Sequence, residues 1–170
     1  MVKVLQDFTF SEEGVTKEIE VMLIIGNNND DMDPNDITKS LNIQPTNSWK
    51  KGEEYVGKAF DPQKRIVIEV LRRRPNSVWV INTATKIRSK KVSDHLSYLD
   101  RLLTPKLPII KRIIDPEDVF ATLSITKTAF PYGAHYDVDS RLMLRCCELC
   151  KEIAFANYES LEDNSSEESQ

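Results

Sequence analysis

Glycine occurs only five times in 170 residues, cysteine three times and histidine twice, and the longest apolar stretch is Val21-Met22-Leu23-Ile24-Ile25. Each scarcity excludes something. Five apolar residues fall far short of the roughly 20 that cross a bilayer. The opening segment Met1-Val2-Lys3-Val4-Leu5-Gln6-Asp7 lacks the apolar middle of a secretory signal, so a cytoplasmic protein with no membrane partner is expected. The three cysteines all fall within Cys146-Cys147-Glu148-Leu149-Cys150, where they cannot all pair and where two on one helix bond poorly. That pattern suits a reducing compartment. A chain of this length holds one sizeable core but not two, and 40% hydrophobic with 29% charged residues is the composition of a soluble globular protein.

The net charge of −4 conceals a segregation along the chain. Residues before Thr38 carry about −7, those from 38 to 112 about +11, and the remainder about −8. The middle is therefore a candidate basic face, although blocks of opposite sign also neutralise one another in a fold.

Ile19, Val21, Leu23 and Ile25 alternate with Glu20, Met22 and Ile24, which predicts a half-buried strand over 17–26. Asp33 caps and Pro34 opens a helix over 34–42 that buries Ile37 and Leu41. Ile66, Ile68 and Val70 alternate similarly, and with the turn at Arg73-Arg74-Pro75-Asn76-Ser77 and the return Val78-Trp79-Val80-Ile81 they predict a β-hairpin. Ser93 caps the next helix, whose stripe is Leu96, Leu99, Leu102 and Leu103; Pro105 interrupts it, and a second helical piece begins near Pro108. Val119, Ala121, Leu123 and Ile125 mark another strand, and Asp139 or Ser140 caps a helix with Leu142, Cys146, Leu149, Cys150 and Ile153 on one face. A last strand is expected over 154–159.

The order strand, loop, capped helix occurs twice, over 17–42 and 118–153, which suggests a divergent duplication. The pattern as a whole calls for an α+β fold, an antiparallel or mixed sheet with helices mainly on one face. One domain over 1–159 is expected, followed by an acidic tail over 160–170 too polar to pack.

One stretch is not demanded by helix or strand periodicity. Gln44-Pro45-Thr46-Asn47-Ser48-Trp49-Lys50-Lys51-Gly52 suits a structured turn, with φ fixed at Pro45, positive φ allowed at Gly52 and Trp49 as a buried anchor. With its flanks it reads Asp33-Pro34-x-x-Ile37-Thr38-x-x-Leu41-x-Ile43-x-Pro45-Thr46-x-x-Trp49-x-x-Gly52. This resembles a bacterial family known only as a domain of unknown function, number four-two-seven-nine. The resemblance extends to about Tyr158 and includes Ser77-Val78-Trp79 and the helix from Asp94 to Leu103. It implies a small bacterial or phage α+β domain with no reaction to carry over, and the acidic tail looks additional to it.

Chemistry-bearing constellations are few. Cys147-x-x-Cys150 has redox or zinc spacing, but the pair falls well inside the predicted helix, and His95 and His135 offer zinc no matching second half. Buried core thiols are the better reading, with no metal and no cofactor. Asp30, Asp31, Asp33 and Asp36 lack the glycine and distal glutamate of a calcium loop and read as helix-capping residues. His135, in Tyr132-Gly133-Ala134-His135-Tyr136-Asp137, has no identifiable nucleophile beside it. The basic footprint comprises Arg72, Arg73, Arg74, Arg88, Lys90, Lys91, Lys50 and Lys51, with Trp49 and Trp79 read as core anchors. The expected function is a non-enzymatic protein-binding module of inhibitor, immunity or adaptor type, its binding residues those eight, its catalytic residues none. The alternatives are nucleic-acid binding through the basic hairpin and an enzyme with a site near His135.

Overall fold

A computed structural model describes residues 16–29, 31–129 and 136–159. Asp30, the loop with His135, and the acidic tail over 160–170 lie outside the described residues. In chain order the elements are β1 (Thr16–Asn27), α1 (Pro34–Leu41), β2 (Asn47–Trp49), β3 (Glu54–Asp61), β4 (Ile66–Arg73), β5 (Ser77–Asn82), α2 (Val92–Leu103), α3 (Leu107–Ile114), β6 (Val119–Ala129), α4 (Ser140–Cys147) and β7 (Glu152–Glu159). Short 3₁₀ turns occupy Thr83–Thr85 and Thr104–Lys106.

The fold is α+β. Five strands form a mixed sheet in the order β2-β5-β1-β6-β7, and β3 with β4 forms a separate two-stranded sheet. Strand β1 is central because its alternation is the cleanest: Ile19, Val21, Leu23 and Ile25 are at most 4% exposed and share one face. It pairs antiparallel with β5 on one side and β6 on the other, while β7 runs parallel to β6. The same face of β5 and β6 contributes Trp79, Ile81, Val119, Ala121, Leu123 and Ile125, and all four helices bury their stripes there, among them Ile37, Leu41, Leu96, Leu99, Ile110, Leu142 and Cys146. Helices thus cover one face of the sheet.

The crossover β1-α1-β2 passes over β5, and the crossover β5-α2-α3-β6 passes over β1, so two β-α-β units interleave in a split βαβ core. The two strand-loop-helix units seen in the sequence flank the β1–β6 pair. Both helices are capped alike: Asp33 Oδ1 accepts from the Asn35 N–H, and Asp139 Oδ1 accepts from the N–H groups of Arg141 and Leu142. They then diverge, since β7 docks directly on β6 while β2 is separated from β1 by β5.

Four sequence expectations are corrected. Strand β4 does not return into β5; it pairs with β3, from Glu54↔Arg73 to Asp61↔Ile66. The turn responsible is Asp61-Pro62-Gln63-Lys64-Arg65, where Asp61 Oδ1 accepts from the N–H groups of Gln63 and Lys64 and Arg65 takes φ 52. At the other end Arg74 extends the β3–β4 ladder by bonding Gly52 and Glu53, and Pro75 has no N–H with which to continue. Ser93 is not a cap: Lys91 takes that position without capping the helix through its side chain, and Ser89 Oγ accepts from the Lys91 N–H. The Cys147–Cys150 pair does not lie well inside a helix: Cys147 is the last residue of α4 and Cys150 falls beyond its end. Trp49 is half-buried and outside the core cluster, whereas Trp79 is fully buried within it.

Candidate functional site

The proline-threonine-tryptophan segment is a junction between the two sheets. Thr46 anchors it to the sheet edge: its N–H and its Oγ1 both donate to the Val80 carbonyl, at 2.8 and 3.0 Å, and Oγ1 accepts from the Asn82 N–H at 2.8 Å. Three residues of β2 then pair with β5, placing Trp49 opposite Val78 on the face away from the helices. Gly52, at φ +81, turns the chain into β3, a conformation that suits glycine. Backbone bonds from Gly52 N to Arg74 O and from Arg74 N to Glu53 O, both 2.9 Å, close the base of the hairpin.

Those two bonds put Arg74 between aromatic rings. Its guanidinium carbon lies 4.4 Å from the Trp49 ring centroid and 3.9 Å from that of Tyr55, a paired cation–π contact. Arg74 Nε is buried with no hydrogen-bond partner among the described residues, so the rings are what hold it. Arg72 lies on the same face of the ribbon, its Cδ 3.1 Å from where a side chain on Gly57 would begin. A larger residue at 57 would displace it. Lys51 donates its backbone N–H to Ser77 Oγ at 3.0 Å, and Lys50 Nζ sits 3.5 Å from Asp33 Oδ2. The Asn35 backbone N–H, more than the nearby Lys50 charge, holds the Asp33 carboxyl below its ordinary 3.8. Arg73 points to the opposite face and bonds Glu54 Oε1 at 3.0 Å.

Five of the eight basic residues, Lys50, Lys51, Arg72, Arg73 and Arg74, therefore gather at the hairpin base. Arg88, Lys90 and Lys91 do not join them, because the two groups leave β5 at opposite ends. The second group is exposed on a segment pinned by a buried histidine. His95 Nε2 donates to the Ser89 carbonyl at 2.9 Å, and its Nδ1 lies 2.6 Å from Thr83 Oγ1, whose single proton is within reach of both that nitrogen and the Val21 carbonyl.

The ribbon itself is the feature that sequence reasoning missed. Its strands hydrogen-bond as a sheet of their own, yet Val56, Phe60, Ile66, Val67, Ile68 and Leu71 are 36–67% exposed. An isolated two-stranded hairpin is marginal in water, and these six side chains divide between its two faces, Ile66 and Ile68 on one and Val56, Phe60, Val67 and Leu71 on the other. The available signal was the alternation over 54–61, obscured by Gly57 and by charges on both sides of it.

Little else offers chemistry. A cleft of about 120 Å³ beside the junction is lined by Asp33, Pro34, Asn35, Ser48, Trp49, Lys50 and Glu53, well below the volume of a typical ligand pocket. An open depression of about 390 Å³ between α1 and α3 carries Ser40, Ile109, Arg112 and Ile113, which compose no acid–base pair. No group of His, Cys, Asp and Glu among the described residues is arranged to hold a metal ion. Asp33 caps α1 and Asp36 pairs with Lys39 at 3.2 Å. Burial pushes the Cys146 thiol up to about 12 and that of Cys150 up to about 11, which makes both poor nucleophiles. Lys127 is wholly buried, with its ammonium 5.8 Å from the Tyr136 ring.

Over residues 17–158 the chain matches the sequence profile described as Domain of unknown function (DUF4279). The chain belongs to that family. No curated protein and no solved structure matches it. The DUF4279 match spans the split βαβ core, the junction and the hairpin together, so the ribbon is included in the family's domain. No described helix of this DUF4279 domain is long and apolar enough to cross a membrane.

Proposed function

We propose that this domain is a non-enzymatic protein-binding module, of inhibitor, immunity or adaptor type, whose contact element is the β3–β4 hairpin with its cationic base. The observation that carries the reading is a ribbon that stands apart from the five-stranded sheet and presents, on the face continuous with its cationic base, Ile66 and Ile68 at 48% and 36% exposed, with no layer among the described residues packed over them. The contacting face is the one bearing Tyr55, Ile66, Ile68, Val70 and Arg72, continuous with Arg74, Lys50 and Lys51. Aromatic and arginine side chains around an apolar centre are the usual anchors of a protein interface. The positive base selects an acidic partner and speeds encounter. Arg74 already occupies one face of both Trp49 and Tyr55, which leaves less ring surface for stacked bases and favours protein over nucleic acid.

The test is capture from the native host followed by kinetics with the purified partner. Arg72→Glu with Lys51→Glu is expected to slow association by about tenfold at low salt and to flatten its salt dependence. An association rate and salt slope equal to wild type would refute the assignment of this face. Retention of single-stranded or duplex nucleic acid, with no protein bound, would replace it with the nucleic-acid reading.

A further inference from the structure

The opposite face of the ribbon has a different composition. The register places Glu54, Val56, Lys58 and Phe60 across from Arg73, Leu71, Glu69 and Val67, so two apolar pairs flank one lysine–glutamate pair. Val56, Phe60, Val67 and Leu71 are 64%, 63%, 63% and 67% exposed. Every residue on this face is exposed, whereas Tyr55, Gly57, Ala59 and Val70 on the other are half-buried. Its charges sum to zero, and neither Lys58 nor Glu69 closes a salt bridge among the described residues.

We infer that this face binds a second copy of the chain. A two-fold axis parallel to the strands, midway between β3 and β4, would set Lys58 against the second copy's Glu69 and Val56 against its Leu71. The same operation sets Phe60 against Val67 and Arg73 against Glu54, so every contact is apolar on apolar or opposite in charge. A two-fold across the strands would oppose like charges and is disfavoured. The four apolar side chains expose on the order of 450 Å² per copy, and with the flanking charged residues the pair would bury on the order of 1,200 Å² in total, the lower end of specific interfaces. The inference is independent of the acidic-partner reading, because it uses the other face of the ribbon; in such a dimer the two cationic bases point outward, giving a bivalent module.

The experiment is sedimentation velocity on the full chain across roughly 1 µM to 1 mM, the range suited to an interface of this size. Wild type is expected to move from 19.5 kDa to twice that mass. Lys58→Glu and Glu69→Lys should each weaken self-association by about tenfold or more, and an equimolar mixture of the two should restore a heterodimer. Both positions are exposed, but each reversal also sets like charges across β3 and β4, so circular dichroism checks the fold and Lys58→Glu combined with Glu69→Lys in one chain, which restores the cross-strand pair, should self-associate as wild type does. A monomer at every concentration, or a dimer indifferent to both reversals and to their mixture, overturns the inference.

Discussion

Replacing each tryptophan by alanine separates the junction from the core. Trp79 is fully buried, and its Nε1 donates to Thr38 Oγ1 at 3.1 Å, tying β5 to α1. Removing an indole that buries about 200 Å² forfeits about 5 kcal/mol at 25 cal/mol per Å². Trp49 is half-buried, its Nε1 bond to Asn76 Oδ1 is a long 3.4 Å, and solvent can fill the space it vacates. Its loss, including the contact with Arg74, is expected to cost about 2 kcal/mol. With a urea slope of about 2 kcal/mol per M, the midpoint should fall by about 2.5 M for Trp79→Ala and about 1 M for Trp49→Ala. Equal shifts, or a larger shift for Trp49→Ala, would refute the division of roles between the two rings.

Four further outcomes follow from the same geometry. In the native protein Cys147 should react first with a thiol reagent near pH 8, half-buried Cys150 more slowly because its thiol is raised, and Cys146 not at all, while denaturant exposes all three; labelling of Cys146 in the native chain would contradict its buried placement. Because burial raises those two thiols above the ordinary 9.0, the unfolded chain ionises first, so their contribution to stability holds below about pH 9 and is lost as pH rises toward 12, measurable as a falling urea midpoint. Thr83→Val strands the Val21 N–H and carbonyl and the His95 ring, and should destabilise by about 1–3 kcal/mol where Thr83→Ser stays near neutral. The Asp118 carboxyl, held below 3.8 first by the Asn27 amide and then by that of Asn29, should titrate closer to 3.8 in Asn27→Ala by carboxyl-resolved NMR.

The elements that build the core were legible because their side chains obey one period. In β1 and β6 every second residue is buried, and in α1 and α4 an aspartate cap precedes the apolar stripe. Where the period was kept but its cause differed, the reading failed. Ile66, Ile68 and Val70 alternate as a core strand would, yet Ile66 is 48% and Ile68 36% exposed, because their ribbon stands apart from the main sheet. Strand β3 was overlooked since Val56 and Phe60 face solvent together with Lys58, leaving no buried face to recognise. The basic residues are plain in the sequence, but which of them gather depends on backbone bonds between Gly52, Glu53 and Arg74 that no local pattern encodes. The separation of Arg88, Lys90 and Lys91 likewise follows only from the direction of β5.

The central claim is that the hairpin is the contact element. Hydrogen–deuterium exchange of the full chain, alone and saturated with its captured partner at a fixed concentration, tests it directly. The account predicts that protection on binding concentrates in the amides of 50–74, with α1 to α4 unchanged. Protection centred on the helices, with exchange across 50–74 unaltered, would contradict it.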